Sequence, residues 1–367
     1  MIAEREIAGF VLPFTIGIMA ATMLQGMFQS HSIVPATVSL ILASAPILPL
    51  THPSHHRWDR HTVLLLLIIT SAGCGLLTGF THNLHSVSAS QTATSISDAA
   101  ACLGESLRSG IEKIPFRSAV TNSIISALIT GERSGIPSET IASFRESGAS
   151  HILALSGLHL GIIYGIISRL LSFLGHTPGA DKTRALLIIA SCGIYTMATG
   201  AGASITRAFL FILIREVSRL GNRHTSTAQV LMSALLIQLL ISPESARDIG
   251  FQLSYSALAG IAFIFPWLKN LWPDGKGGLM KWMWVTASMS VSCQITTGPL
   301  AYFYFGTFPQ HFLLTNLIAM PLTGLIIPSG LLTLALDSAG ICPEFMIRFT
   351  EQLVVLMTEA MKIVASM

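Results

Sequence analysis

From His151 to His159 the chain reads His151-Ile-Leu-Ala-Leu-Ser156-Gly157-Leu-His159, which places two imidazoles and a hydroxyl within otherwise apolar sequence. On one helix at about 100° per residue, His151, His159 and Ser156 fall at roughly 0°, 80° and 140°, sharing a face. Gly157, Gly161 and Gly165 fall at roughly 240°, 280° and 320°, on the opposite side. Polar groups in an apolar segment are costly unless they face a cavity or a partner. Small residues at every fourth position let another helix approach closely. The spacing predicts a helix packed by its glycines and offering imidazole and hydroxyl to a wet passage. Interhelical hydrogen bonds that only fix packing are the alternative.

Arg207 is the second candidate. Ala198-Thr-Gly-Ala-Gly-Ala-Ser204 is a helix-breaking run, and Ser204 or Thr206 is placed to cap the helix that follows. Residues 208–214 separate Arg207 from Arg215, about 10–12 Å of helix, too little for both guanidiniums to reach water on opposite sides. Arg207 is therefore expected within the membrane, in a first helical turn whose free N–H groups favour an anion. Snorkelling to the headgroups is the competing placement. Gln252 and Ser256 share a face at i, i+4, Gln294 precedes Thr296-Thr297-Gly298-Pro299, and Asn316 lies ahead of Pro321 and Pro328. Proline-broken helices at membrane depth are tolerated where they are buried or line a cavity. Arg133, in Gly131-Glu132-Arg133-Ser134-Gly135, and Arg207 would supply cationic groups for an anionic cargo.

Other chemistry fares less well. Ala154-Leu-Ser156-Gly157, with His159 or His151 as base, permits an intramembrane serine hydrolase. A single helix, however, offers neither a partner element nor oxyanion donors, so no residue is assigned as catalytic. The Walker GxxxxGK[ST] pattern is absent, which places any ATP-driven motor outside this sequence. No HExxH or HxHxDH pattern occurs, and the histidines at 52, 55, 56 and 61 have only Asp59 for company; neither a metal nor a cofactor is expected. The five cysteines show no CxxC pairing and read as small core residues.

The positioning elements follow from composition. The 367 residues are 51% hydrophobic and 11% charged, with mean hydropathy +0.66. Soluble domains carry roughly a quarter charged residues. Apolar runs of about 18 residues, enough to cross a bilayer, recur at 9–29, 33–50, 62–82, 151–174, 185–202, 226–242, 249–268 and 282–305. A short run lies at 203–220, a proline-broken one at 311–336 and a last helix at 344–366. This describes an all-α polytopic membrane protein with about 9–11 transmembrane or membrane-embedded helices, some broken. Three regions are expected: an N-terminal three-helix membrane region (1–84), an extracytoplasmic loop with amphipathic helices (85–150), and a transmembrane channel region (151–367). Within the second, the Ser/Thr-rich 86–97 reads as a loop, two amphipathic helices lie on the outer leaflet, and one of them starts at Ile136-Pro137-Ser138-Glu139 and stops at Gly148. Lys and Arg in the loops after spans two and four, after 203–220 and between 249–268 and 282–305 make those loops cytoplasmic. The N-terminus is then inside, and no cleavable signal is expected there.

These segments resemble the ComEC family of competence proteins. The resemblance rests on Ala127-Leu-Ile-Thr-Gly131-Glu-Arg133-Ser, Phe144-Arg-Glu-Ser-Gly148-Ala-Ser-His151-Ile-Leu-Ala-Leu-Ser156-Gly157-Leu-His159, Ala203-Ser204-Ile-Thr-Arg207-Ala and Asp248-Ile-Gly250-Phe-Gln252-Leu-Ser254. It covers roughly 115–340. It implies a bacterial inner-membrane channel that carries single-stranded DNA into the cytoplasm during natural transformation, with Arg133, His151, Ser156, His159 and Arg207 near the path. A separate DNA receptor, nuclease and cytoplasmic ATP-driven motor are the implied partners, and self-association stays open. The sequence has neither the OB-like nor the metallo-β-lactamase-like domain of many members, which leaves transport of another anionic polymer or a lipid-linked precursor as an alternative.

Overall fold

The computed structural model describes residues 11–20, 71–72, 91–175, 177–221, 225–273, 277–306 and 310–367. Among the described residues every regular element is helical. They are α1 (Val11–Ala20), α2 (Gln91–Lys113), α3 (Ala119–Thr130), α4 (Ser138–Glu146), α5 (Ser150–Leu153), α6 (Gly157–Leu170), α7 (Pro178–Ala198) and α8 (Ala203–Leu220). After these come α9 (Thr227–Ile241), α10 (Ile249–Ala259), α11 (Phe265–Lys269), α12 (Leu279–Phe305), α13 (Phe312–Ser338) and α14 (Glu344–Ala365). Gly157–Leu174, Ile249–Lys269 and Phe312–Ser338 are long and apolar enough to cross a membrane. The protein is thus an all-α membrane protein. The spans expected at 9–29, 33–50 and 62–82 lie outside the described residues, apart from α1 and residues 71–72, as do the histidines at 52–61.

The chain divides into two units, Met1–Ala89 with His224–Ala262, and Ser90–Arg223 with Phe263–Met367. In the first, Asp248 caps α10 by accepting from Gly250 N and Phe251 N, both at 3.2 Å. The Tyr255 hydroxyl donates to Gln238 Oε1 of α9 at 3.0 Å.

The second unit has two apolar cores. One gathers Ile111 of α2, Ile124, Ile125, Leu128 and Ile129 of α3, Phe144 of α4 and Ile152 of α5 against Ile326 and Ile327 of α13 and Met357 and Met361 of α14. The other joins Leu160 of α6, Ile188 and Cys192 of α7, and Ile205 and Ile212 of α8, three mutually packed helices. Polar ties close the seams. Asn122 Nδ2 donates to Ile111 O at 2.8 Å, the Ser118 amide donates to Glu351 Oε1 at 3.0 Å, and the Thr315 hydroxyl donates to Ser147 O at 2.5 Å.

Several expectations change. Residues 91–150 do not form a layer of their own: the apolar stripes of α3 and α4 are buried under α13 and α14. An amphipathic stripe looks alike whether lipid or protein covers it. The Ser/Thr-rich stretch is helical from Gln91 because α2 packs on α3 and α7, and tertiary contact overrides weak propensity. α12 runs unbroken through Pro299, and α13 through Pro321 and Pro328. Pro299 frees the carbonyl of Ile295, whereas the Thr296 and Thr297 hydroxyls return to Cys293 O, at 2.9 and 2.8 Å. The expected start at Pro137-Ser138 and stop at Gly148, whose φ is +82°, are where the structure places them.

Candidate polar site where two helices begin

His151 and Ser156 do not share a helix. The chain is extended at Ala154 (ψ 130°) and again at Ser156 (φ −128°, ψ 171°), so α5 ends and α6 starts afresh with Ser156 as its N-cap. Ser156 Oγ accepts from Leu158 N at 3.3 Å, and His159 Nδ1 accepts from Ser156 N at 3.1 Å. This is a capping box in which histidine takes the place usually held by Glu or Gln. Ser156 Oγ also lies 2.9 Å from His159 Nδ1. With Nδ1 accepting, the proton of a neutral ring sits on Nε2, as the hydrogen-bond pattern assigns it. His159 is fully buried, and among the described residues its Nε2 has no hydrogen-bond partner.

Across the break, His151 Nδ1 lies 3.1 Å from Gly148 O, and its ring is exposed. Asn316 of α13 lies within polar reach of the His151 ring, while its buried Oδ1 finds no hydrogen-bond partner among the described residues. His151 and His159 are near enough for their charges to interact. Two imidazoles and a hydroxyl from either side of the helix break and an amide from α13 thus lie close together.

The glycine expectation is corrected in part. A Cβ on Gly157 would stand 3.3 Å from Ala208 Cβ, whereas one on Gly161 or Gly165 would meet open space. Ala208 follows Arg207, so the starts of α6 and α8 adjoin. Arg207 is 3% exposed, inside the protein, and lies in the second turn of α8 where the first was expected. Neither Ser204 nor Thr206 caps α8. Its N-cap is Gly202 with no side-chain bond, Thr206 Oγ1 donates back to Ala201 O at 2.9 Å, and Ser204 is half-buried.

Arg133 is exposed in the turn after α3. Beside it Glu132 Oε1 accepts from Ser134 N at 3.0 Å, and its other oxygen lies 3.2 Å from Arg108 Nη2. The Ser134 amide, then its hydroxyl, then the Arg108 charge hold the Glu132 carboxyl below its ordinary value. Arg108, Glu105, Thr130 and Met197–Ala201 line a cavity of about 450 Å³. Gln252 and Ser256 belong to the other unit, where Gln252 Nε2 donates to Ala246 O at 2.9 Å. Gln294 is half-buried on α12.

One charged cluster escaped the sequence reading. Glu216 of α8 is fully buried, accepts the Tyr164 hydroxyl of α6 at 2.7 Å and lies 3.4 Å from Arg219 Nη1. Asp181 Oδ1 of α7 lies 3.7 Å from Arg184 Nη2 and 3.9 Å from Arg219 Nη2. A carboxylate within an apolar stretch was the available signal; grouping Arg215, Arg219 and Arg223 as loop cations passed over it.

Helices that restart inside an apolar bundle, with His159 in the first turn of α6 and buried Arg207 in the second turn of α8, define an all-α membrane protein with polar groups gathered at its helix starts. Residues 128–367 match the family described as Competence protein, and the chain belongs to that family. It is 26% identical over 205 residues to ComE operon protein 3 of Bacillus subtilis (strain 168), covering 56% of this chain and 24% of that protein. It is also 27% identical over 153 residues to Uncharacterized protein YcaI of Escherichia coli (strain K12), covering 40% of this chain and 20% of that one. The chain therefore spans about a quarter or less of the curated relatives it matches. No solved structure matches it.

Proposed function

We propose that the second unit forms part of an inner-membrane passage that carries single-stranded DNA into the cytoplasm during natural transformation. The observation that carries this reading is Arg207, 3% exposed and next to the residue that meets the start of α6. A phosphate backbone crossing an apolar slab needs a few cationic and hydrogen-bonding groups at depth and no deep trap. Arg207, His151, Ser156, His159 and Asn316 provide such groups, with Arg133 and Arg108 exposed or half-exposed at the end of α3. Membership of the competence family supports DNA as the cargo, and a receptor, a nuclease and a motor are the partners such a passage would work with.

Permeation is favoured over hydrolysis. The contact between Ser156 and His159 is accounted for by the capping box, and His159 Nε2 meets no carboxylate that would complete a triad among the described residues. Replacing Arg207 by Ala with expression intact should lower transformation frequency by at least about tenfold, the factor that about 1.4 kcal/mol represents. An unchanged frequency would remove the reading.

A further inference from the structure

At the end of the α6–α7–α8 trio formed by Leu174, Pro178 and Leu220, two guanidiniums from different helices flank one oxygen. Arg184 Nη2 and Arg219 Nη2 stand 3.7 and 3.9 Å from Asp181 Oδ1. Those separations are ion contacts but too long for hydrogen bonds. Arg184 Nε and Arg219 Nη2 are buried and have no hydrogen-bond partner among the described residues. The arginine pair thus has more donor capacity than the carboxylate beside it uses, and a phosphate, with its several oxygens, matches guanidinium forks better. Glu216 and Tyr164 hold Arg219 in place from beneath, and the exposed Lys182 and Arg215 add positive charge nearby.

The surroundings say which phosphate. Leu170, which ends α6, and Phe173 just after it are 64% and 81% exposed, and Leu186 of α7 and Val217 of α8, turned to other sides of their helices than Arg184 and Arg219, are 67% and 54% exposed. Open apolar side chains on all three helices near these ends suit acyl chains below a headgroup. Basic recesses between membrane helices of this kind take anionic lipid headgroups. We propose that Arg184 and Arg219 form a binding site for the phosphate of an anionic phospholipid, with Asp181 holding the guanidiniums apart until the lipid enters. The site is separate from Arg207 and independent of the cargo.

The test is native mass spectrometry of the full chain in detergent, titrated with phosphatidylglycerol or phosphatidylcholine. Phosphatidylglycerol should be retained at least about tenfold more tightly, a difference of about 1.4 kcal/mol. The double variant Arg184→Gln, Arg219→Gln should erase that preference. Asp181→Asn should strengthen it, because the competing carboxylate is neutralised, and this opposite sign keeps the test decisive if the double variant misfolds. Equal retention of both lipids, or weaker binding in Asp181→Asn, would overturn the site. Displacement of the lipid by inorganic phosphate would assign it to a free anion instead, and displacement by an equimolar single-stranded oligonucleotide would assign it to cargo.

Discussion

Ser156 serves α6 through both its main chain and its side chain, and what it loses on substitution separates structural from chemical roles. Replacing it by Ala removes one N-cap acceptor, which costs about 1 kcal/mol in other helices, so thermal unfolding in detergent should shift modestly. A fluorophosphonate probe should leave Ser156 unlabelled; labelling would revive the hydrolase alternative. Glu216 should be far less tolerant. Glu216→Ala removes the buried carboxylate that Tyr164 and Arg219 share and should cost about 1.5–3 kcal/mol, less than a fully buried broken pair because Arg219 is 37% exposed and keeps Asp181 beside it, whereas Tyr164→Phe removes one hydrogen bond worth about 1 kcal/mol. Comparable losses in the two variants would mean that the carboxylate is not buried. Glu132 carries a pH dependence. Its pKa is depressed in the fold, so its stabilising contribution is complete above the unfolded value, near 4.5, and drains away as pH falls through the lower folded one. The unfolding midpoint of Glu132→Gln should therefore converge on that of the parent chain as pH drops through and below 4.5. These residues were unequally legible. The spacing of Arg207 to Arg215 set it apart from the loop cations, and it is buried in the fold, while the roles of Ser156 and His159 depended on a helix break that a wheel drawn over 151–165 had smoothed away. Ser-x-x-His just before an apolar run was the missed capping signal.

Helix contacts in this protein are decided by which glycines meet backbone. A Cβ on Gly104 of α2 would lie 2.2 Å from Ala198 O at the end of α7, a contact no rotamer can relieve. Gly104→Ala must push the two helices apart and should cost about 1–3 kcal/mol, the range of other overpacked sites. Gly161→Ala meets open space and removes a flexible residue from mid-helix, so it should be neutral or stabilising by up to about 1 kcal/mol. The Gly104→Ala unfolding midpoint should fall while that of Gly161→Ala holds or rises; similar losses in both would return the expected glycine stripe to α6. Of Gly157, Gly161 and Gly165, read as one packing stripe, only Gly157 meets a neighbouring helix, at Ala208, because spacing names a face without naming how far its neighbour runs along it. The prolines show the same limit. Gly298-Pro299, Pro321 and Pro328 are helix breakers in water, yet α12 and α13 run through them. Helix identity at 344–365 and the start at Pro137 were plain from caps and apolar runs, since both signals are local.

Sidedness can be argued only for the molecule as a whole, and here loop charge and packing disagree. Four basic loops on one side place the ends of 185–202 and 311–336 on opposite faces of the membrane. In the structure α2 touches both ends within two turns, through Gly104 at Ala198 of α7 and Gly110 at Leu334 of α13. Helices of 21 and 27 residues that end at the same short stretch of a third helix end on the same side. The chain between them must then cross an odd number of times, although four segments were expected to cross there. α12 is long enough, and its Trp282 and Trp284 stand about 30 Å from Tyr302, Phe303 and Tyr304, the spacing of two aromatic belts about a hydrocarbon core. α9, at 15 residues, reaches only about 22 Å and is the segment expected to fall short. In a chain freed of its five cysteines, single cysteines at Ala203 and Ser338 should react with an impermeant maleimide from the same side of sealed vesicles, and one at Ser172 from the other. If Ala203 and Ser338 react from opposite sides, the basic loops were the better guide and α9 crosses after all. Labelling of all three from one side would instead show that α7, the helix between Ser172 and Ala203, re-enters without crossing, and Arg207 would then lie near a headgroup layer, with no passage for a polyanion to follow.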